Sequence, residues 1–110
     1  MTYANTLKQM AQAKDEALNI VRYINNFKED LRNEIIDFDE YVMFVEEPVE
    51  QLNEKIDTLS NLINKAEVQL EELHNDNMIN DKVYENLKFN VYTLSDAVTF
   101  LDEFTMHVFG

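Results

Sequence analysis

The residues of this chain best suited to bind a metal are its two histidines, each close to a carboxylate. Glu71 and His74 are three residues apart, which places a carboxylate and an imidazole on one helix face, as in carboxylate-bridged di-iron bundles. Such a site needs a second pair, and the only other histidine, His107, follows Glu103 by four residues. The predicted helices place the two histidines about 40 Å apart at 1.5 Å per residue. We therefore predict no metal site and no cofactor.

Other patterns that carry chemistry are incomplete in the sequence. Asp39 and Glu50 have the first-to-twelfth spacing of an EF-hand calcium loop. Tyr41 and Met43 nevertheless stand at ligand positions, and the sixth position is not the glycine that the loop requires. Neither serine has a histidine within predicted reach, so nucleophilic catalysis has no support. The chain's one glycine is its last residue, which leaves no glycine-rich phosphate loop. We predict that the protein is not an enzyme.

The composition indicates one helical domain. The chain has 110 residues, of which 45% are apolar, and this is enough for one core. It contains one glycine, one proline and no cysteine, whereas all-β domains need turn residues about every ten residues. No signal-peptide core and no apolar stretch of about 18 residues is present. We expect a single domain over 1–110, without a membrane span, in the cytoplasm (the host cytoplasm if a phage encodes it).

Apolar residues recur at alternating spacings of three and four through most of the chain. The first such seam predicts one long helix over about 3–46. Pro48 ends this helix, because the residue before a proline is pushed out of helical geometry. Pro48 also suits the first turn of a second helix over about 48–74. An Asn- and Asp-rich break then precedes a third helix over about 81–109. Short connections predict an all-α, antiparallel three-helix bundle with coiled-coil (heptad) packing and a long first helix.

The predicted helix lengths do not match. At about 1.5 Å per residue, the first helix spans roughly 65 Å and the others roughly 40 Å each. Either the first helix breaks near Asn25 and Asn26, or its N-terminal part projects beyond the bundle. The unbroken heptad spacing favours the projecting segment, which carries Tyr3, Leu7 and Met10. Because its apolar face needs a partner, we predict self-association into a homodimer through these three residues.

The net charge of −13, from 22 acidic and 9 basic residues, is distributed unevenly. Residues 1–28 carry +2, residues 29–57 carry −9 and residues 58–110 carry −6. The acid therefore concentrates around the junction of the first two helices, and the third helix is predicted to return to the same end. Nucleic acid and anionic membranes repel such a protein. We predict a basic protein as its partner, with no direct contact to nucleic acid or membrane. The alternative is that the charge only keeps the protein in solution.

The predicted helix ends divide these carboxylates into two groups. Glu46, Glu47 and Glu50 flank the start of the second helix, where the helix dipole favours negative charge. The acids near the end of the first helix oppose the dipole and repel one another, which favours a functional reason for them. Phe44 and Phe100 lie off the apolar seams and are candidate anchors for a partner. The predicted partner-binding residues are Asp37, Asp39, Glu40, Phe44, Glu46, Glu47, Glu50, Asp96, Phe100, Asp102 and Glu103.

In size, charge and helicity the chain resembles the small acidic inhibitors that phages and mobile elements use against host defence, such as anti-CRISPR and anti-restriction proteins. The resemblance includes no shared motif, so it carries over no residues. It implies an inhibitor that imitates DNA and occupies a basic, nucleic-acid-binding surface of a target protein. The alternative is a structural coiled-coil adaptor, an assembly chaperone or an immunity protein that binds through its helical faces.

Overall fold

The structure, a computed structural model, describes residues 2–110. Its three helices are α1 (Tyr3–Arg32), α2 (Phe38–Asn75) and α3 (Asp81–Met106), and the described residues form no strand. The all-α three-helix bundle predicted from the sequence is confirmed.

The central helix is α2, and both other helices run antiparallel to it. Along α1, the Thr6 hydroxyl donates to the Gln69 side-chain carbonyl at 2.7 Å, and the Phe27 ring stacks on Phe44 with centroids 5.3 Å apart. Along the other flank of α2, hydrogen bonds join α3 in the same antiparallel sense. The molecule measures 59 × 22 × 17 Å, so its two ends are far apart and can carry separate surfaces.

The core follows the stripe of apolar residues along α2. The apolar residues at heptad spacing from Leu52 to Leu70 are buried along α2, and α1 contributes small residues that let the two helices approach closely. Interdigitating coiled-coil packing stays a prediction. The buried core residues of α1 and α2 are Met10, Ala13, Ala17, Val21, Ile24, Tyr41, Val45, Leu52, Ile56, Leu59, Ile63, Ala66 and Leu70.

The prediction of one first helix over about 3–46 was wrong, because α1 ends at Arg32. Beyond it, the Ile35 N–H donates to the Asp30 carbonyl at 2.9 Å and the Glu34 N–H donates to the Leu31 carbonyl at 3.2 Å. This pair of bonds is the Schellman motif, which satisfies the last carbonyls of a helix. The motif needs a left-handed residue, and Glu34 takes that role with φ 61°.

A capping box then begins α2. The Glu40 N–H donates to the Asp37 carboxylate at 2.8 Å, and the Asp37 N–H donates to the Glu40 carboxylate at 3.2 Å. Ile36 and Tyr41 stand at the two positions of a hydrophobic staple, and Tyr41 is fully buried. Two helix ends therefore lie inside the segment that the heptad pattern reads as continuous helix.

The predicted helix break at Pro48 was also wrong, because α2 continues through this residue. Proline inside a helix loses one backbone hydrogen bond and costs about 3 kcal/mol. Val45 and Leu52, about one turn to either side, are both fully buried. Burying each such side chain contributes about 1.5–3 kcal/mol. Packing on both sides of Pro48 therefore outweighs its intrinsic preference.

With these boundaries the predicted overhang of the first helix does not exist. Met10 is fully buried and Leu7 and Tyr3 are half-buried, because the C-terminal half of α2 lies beside the start of α1. The helix does not break at Asn25 and Asn26 either. The free apolar segment that led us to expect a homodimer is thus part of the core of the chain itself. Helix α3 ends three residues earlier than predicted, at Met106.

Candidate partner-binding surface

One end of the bundle brings together the end of α1, the start of α2 and the end of α3; we call it the acidic end. The Tyr41 hydroxyl donates to the Val108 carbonyl at 2.7 Å, and burial raises the pKa of Tyr41. Lys28 donates to the His107 carbonyl at 3.3 Å and lies 5.1 Å from the centroid of the Phe104 ring. The start of α2 and the end of α3, which carry the predicted partner-binding residues, therefore lie at the same end of the bundle.

The acids at the start of α2 have a structural role. Asp37 is the N-cap and Glu40 completes the capping box. Asp39 lies in the first turn, where the helix dipole favours negative charge by about 0.3–1 kcal/mol. The prediction that these three carboxylates oppose a helix dipole was therefore wrong, since they stand at the start of a helix and not at the end of one.

The prediction that Glu46, Glu47 and Glu50 stand at the start of a helix, where the dipole favours them, was also wrong. These residues lie two or more turns inside α2, beyond the reach of the dipole at its first turn. They are exposed, as are Glu54 and Asp57 farther along the helix. Glu46, Glu50, Glu54 and Asp57 follow one another at spacings of four, four and three, so they share one face of α2. We call these four residues the carboxylate row.

Among residues 2–110, no cation forms an ion pair with the carboxylate row. The only base between residues 33 and 64 is Lys55, and it is paired across the helix interface with Glu16. Hydrogen bonds from Lys55 and Gln12, with the charge of Lys55, lower the pKa of Glu16. The other ion pair with an arginine or lysine within residues 2–110 joins Arg32 to Glu29. The row is thus a line of like charges open to solvent.

Apolar side chains flank the acidic end on two sides. Phe44 is 41% exposed, and with Met43, Glu47 and Pro48 it lines a groove of about 570 Å³ between α1 and α2. Its other face stacks on Phe27, so Phe44 both packs α1 against α2 and contributes apolar surface to the groove.

On α3, three of the predicted residues share the exposed face. Asp96, Phe100 and Glu103 follow one another at spacings of four and three. Phe100 is 53% exposed, so it is not part of a widened core. Asp102 is also exposed, on the flank of this face. An aromatic ring and two carboxylates are therefore exposed together on one face of α3.

Glu71 and His74, the carboxylate and imidazole paired by the sequence analysis, both contact residues of α3. The Tyr84 hydroxyl donates to Glu71, which raises the pKa of Tyr84. His74 stacks on Tyr84 with centroids 4.1 Å apart and lies 2.7 Å from an Asp81 oxygen. Both side chains thus hold the connection between α2 and α3. Within residues 2–110, no group of three or more His, Asp or Glu residues is placed to hold a metal ion.

Comparison with known proteins gives no relative. No known protein family, curated protein or solved structure matches the chain. Within the part of the chain that the structure describes, no helix is long and apolar enough to cross a membrane.

Proposed function

We propose that this protein is a non-catalytic inhibitor that binds, through its acidic end, a basic nucleic-acid-binding surface of another protein. The carboxylate row is the observation that carries the proposal. Its four acids are exposed and form no ion pair within the described part of the chain, and they receive no benefit from a helix end. Like charges at i,i+4 spacing destabilise a helix by about 0.2–0.5 kcal/mol per pair. A feature that lowers stability without a local gain is where function is expected.

The charge density of the row suits competition with nucleic acid. Successive acids of the row rise about 6 Å along the helix at 1.5 Å per residue. One DNA strand carries a charge per about 3.4 Å of axis. Glu47 and the acids of α3 add charge beside the row at the same end. The acidic end therefore reaches a large fraction of the density of one strand, on a rigid scaffold.

Exposed apolar side chains at the acidic end would add binding energy from desolvation, which charge alone does not supply. Desolvated aromatic side chains carry much of the energy of protein interfaces, and complementary charge sets the orientation and the rate of association. Phe44 on α2 and Phe100 on α3 are both exposed. This combination favours a protein target over nonspecific association with polycations. These features fit an inhibitor that mimics DNA and that a phage encodes against a host nuclease. Anti-CRISPR proteins are one kind of such inhibitor.

A structural adaptor is the second candidate, and a specific observation favours it. Helix α3 exposes five large apolar residues, which is more than scattered surface apolar residues would account for. Under this reading the faces of α3 join other helices, and the acid serves solubility. The five residues are Val83, Phe89, Tyr92, Phe100 and Met106.

A capture experiment with charge-neutralised variants separates the two candidates. The immobilised protein is exposed to lysate from its source cell or host and washed at low and then high salt. The proposal predicts capture of a nucleic-acid-handling protein that is released by salt, because screening weakens contacts between exposed charges. The triple variant Glu46→Gln, Glu50→Gln and Glu54→Gln should lose this protein.

The matched control removes the same charge elsewhere. The variant Asp15→Asn, Asp76→Asn and Glu85→Gln neutralises three exposed acids away from the acidic end. It should keep the captured protein. Equal loss from both triple variants would show that only net charge matters, and a partner that resists the salt wash would favour the adaptor.

A further inference from the structure

A second surface lies at the opposite end of the bundle, in a groove of about 450 Å³ between α2 and α3. Leu70 and Val91 are buried beneath it, and the Tyr84 ring closes one side. Val68 and Tyr92 line the rim from opposite helices. We propose that this groove binds an amphipathic helix of a partner protein, with an apolar face flanked by lysine or arginine residues. This inference does not depend on the proposed function of the acidic end.

The rim exposes apolar side chains that the fold does not require. Val68 is 58% exposed on the otherwise polar outer face of α2, and Tyr92 is 60% exposed across the groove. Tyr92 alone leaves about 90–150 Å² exposed, since an aromatic side chain buries about 150–250 Å² when fully covered. Val68 adds apolar surface from the opposite helix. An apolar groove rimmed by polar residues marks an interaction site more often than scattered apolar residues do.

The shape of the groove favours a helix as its occupant. Two antiparallel helices leave a long trough between them, and an amphipathic helix fits such a trough with residues spaced three and four apart. The lining runs over residues 67–75 of α2 and 84–92 of α3. That length is about 12 Å at 1.5 Å per residue, which corresponds to two or three helical turns.

The charge around the groove selects a basic partner. Glu67, Glu71 and Glu72 line it, and Lys88 is the one cation in the lining. Lys88 lies 5.5 Å from the centroid of Tyr84, the ring that Glu71 also contacts. The lining therefore keeps an excess of negative charge, and complementary charge fixes the orientation of a partner. A second copy of the chain is disfavoured, because it would bring acids against acids in a protein of net charge −13.

This groove is separate from the acidic end. About 15 Å of α2 lies between Asp57, the last residue of the carboxylate row, and Glu67, the first residue of the groove lining, at 1.5 Å per residue. Variants at one end can therefore be tested without changing the other. Success or failure at the groove is distinguishable from success or failure of the inhibitor proposal.

The test uses three synthetic helical peptides as probes and measures binding by fluorescence anisotropy. The first carries leucine on one face and lysine on the other. The second replaces leucine by serine at equal charge, and the third replaces lysine by glutamate. We expect the protein to bind the first peptide at least about tenfold more tightly than either of the others, since losing one anchor of about 1.4 kcal/mol is a tenfold change.

Paired variants locate the binding. The double variant Val68→Ser and Tyr92→Ser should lose the leucine–lysine peptide by about tenfold or more. The matched control Met43→Ser and Phe38→Ser removes two exposed apolar residues of the acidic end and should change binding less than about threefold. In the wild-type protein, the peptide should shift the NMR amide signals of residues 67–75 and 84–92. This NMR measurement uses only the wild-type protein, so it does not depend on whether a variant folds.

Four results would overturn the proposal. Equal binding of the leucine–lysine and serine–lysine peptides would show that charge alone attracts them. Equal binding of the leucine–lysine and leucine–glutamate peptides would show that the groove does not require a basic partner. NMR shifts confined to the acidic end would place the site elsewhere. A doubled solution mass that Val68→Ser and Tyr92→Ser abolish would assign the groove to a second copy.

Discussion

Glu50→Gln should stabilise this protein, although it removes a residue that we place in the partner-binding surface. Glu50 lies between Glu46 and Glu54 at i,i+4 spacing and follows Glu47 at i,i+3. It is exposed in the middle of α2, with no cation partner among the described residues. Glutamine has nearly the same helix propensity as glutamate, so the substitution changes the charge and little else.

The expected gain follows from the three like-charge pairs that Glu50 makes. Each pair destabilises the helix by about 0.2–0.5 kcal/mol at low ionic strength, so their removal raises the free energy of unfolding by about 0.6–1.5 kcal/mol. For a domain of this size, each kcal/mol corresponds to a rise in Tm of about 4–8 °C. The gain should shrink at 1 M salt, where the screening length is about 3 Å.

Asp37→Ala is the matched variant with the opposite expected sign. It removes the N-cap side chain of α2 and the capping-box bond that this carboxylate accepts from the Glu40 N–H, which costs about 0.5–2 kcal/mol. Thermal and urea unfolding followed by circular dichroism measures both variants at low and high salt. A destabilised Glu50→Gln together with an unaffected Asp37→Ala would contradict our division of the acids into structural and functional groups.

Four further predictions concern the packing. Tyr41→Phe removes a buried hydrogen bond to Val108 and should lower the free energy of unfolding by about 1–3 kcal/mol in urea titrations, because the buried carbonyl loses its donor. Pro48→Ala should raise it by up to about 3 kcal/mol, since α2 regains a backbone hydrogen bond. Glu34→Gly should raise it by about 1 kcal/mol in thermal unfolding, because Glu34 holds a left-handed conformation, whereas Asn77→Gly should change it less, since asparagine tolerates that conformation. Burial raises the pKa of Tyr41, so the unfolded chain ionises first, and stability should fall as the pH rises above the ordinary tyrosine value of 10.0; an equally steep fall in Tyr41→Phe would contradict this assignment.

The fold class was predictable because the helical signals are long and redundant. The heptad positions of α2 from Leu52 to Leu70 are buried as predicted. Low glycine and proline content excluded competing fold classes. The break between α1 and α2 was missed for a physical reason: a helix end usually shows glycine or asparagine at its left-handed position, and here that residue is Glu34. The end of α2 has Asn77 at the equivalent position and was predicted correctly to within one residue.

A signal for the true start of α2 was nevertheless present. Asp37 and Glu40 have the N-cap and N3 spacing of a capping box, followed by an apolar run. The heptad spacing of apolar residues continues through this segment, so we predicted continuous helix there despite the capping box. We placed the helix break at Pro48 instead. Because the boundary moved by about ten residues, the roles of the acids on either side were exchanged.

The candidate site was predictable in its location but not in its parts. The concentration of acid in residues 29–57 identified the end of the bundle. Glu54 and Asp57 were missed, although they continue the spacing of Glu46 and Glu50. The groove at the other end was beyond sequence reasoning, because it depends on Val68 and Tyr92 facing each other across two helices.

The most direct test of the central claim is a competition measurement on the captured partner. Labelled protein is bound to that partner, and duplex DNA or structured RNA is added at constant salt. Our account predicts that nucleic acid displaces the wild-type protein and that the protein in turn displaces nucleic acid, because both occupy the same basic surface. A ternary complex, with protein and nucleic acid bound together, would contradict it.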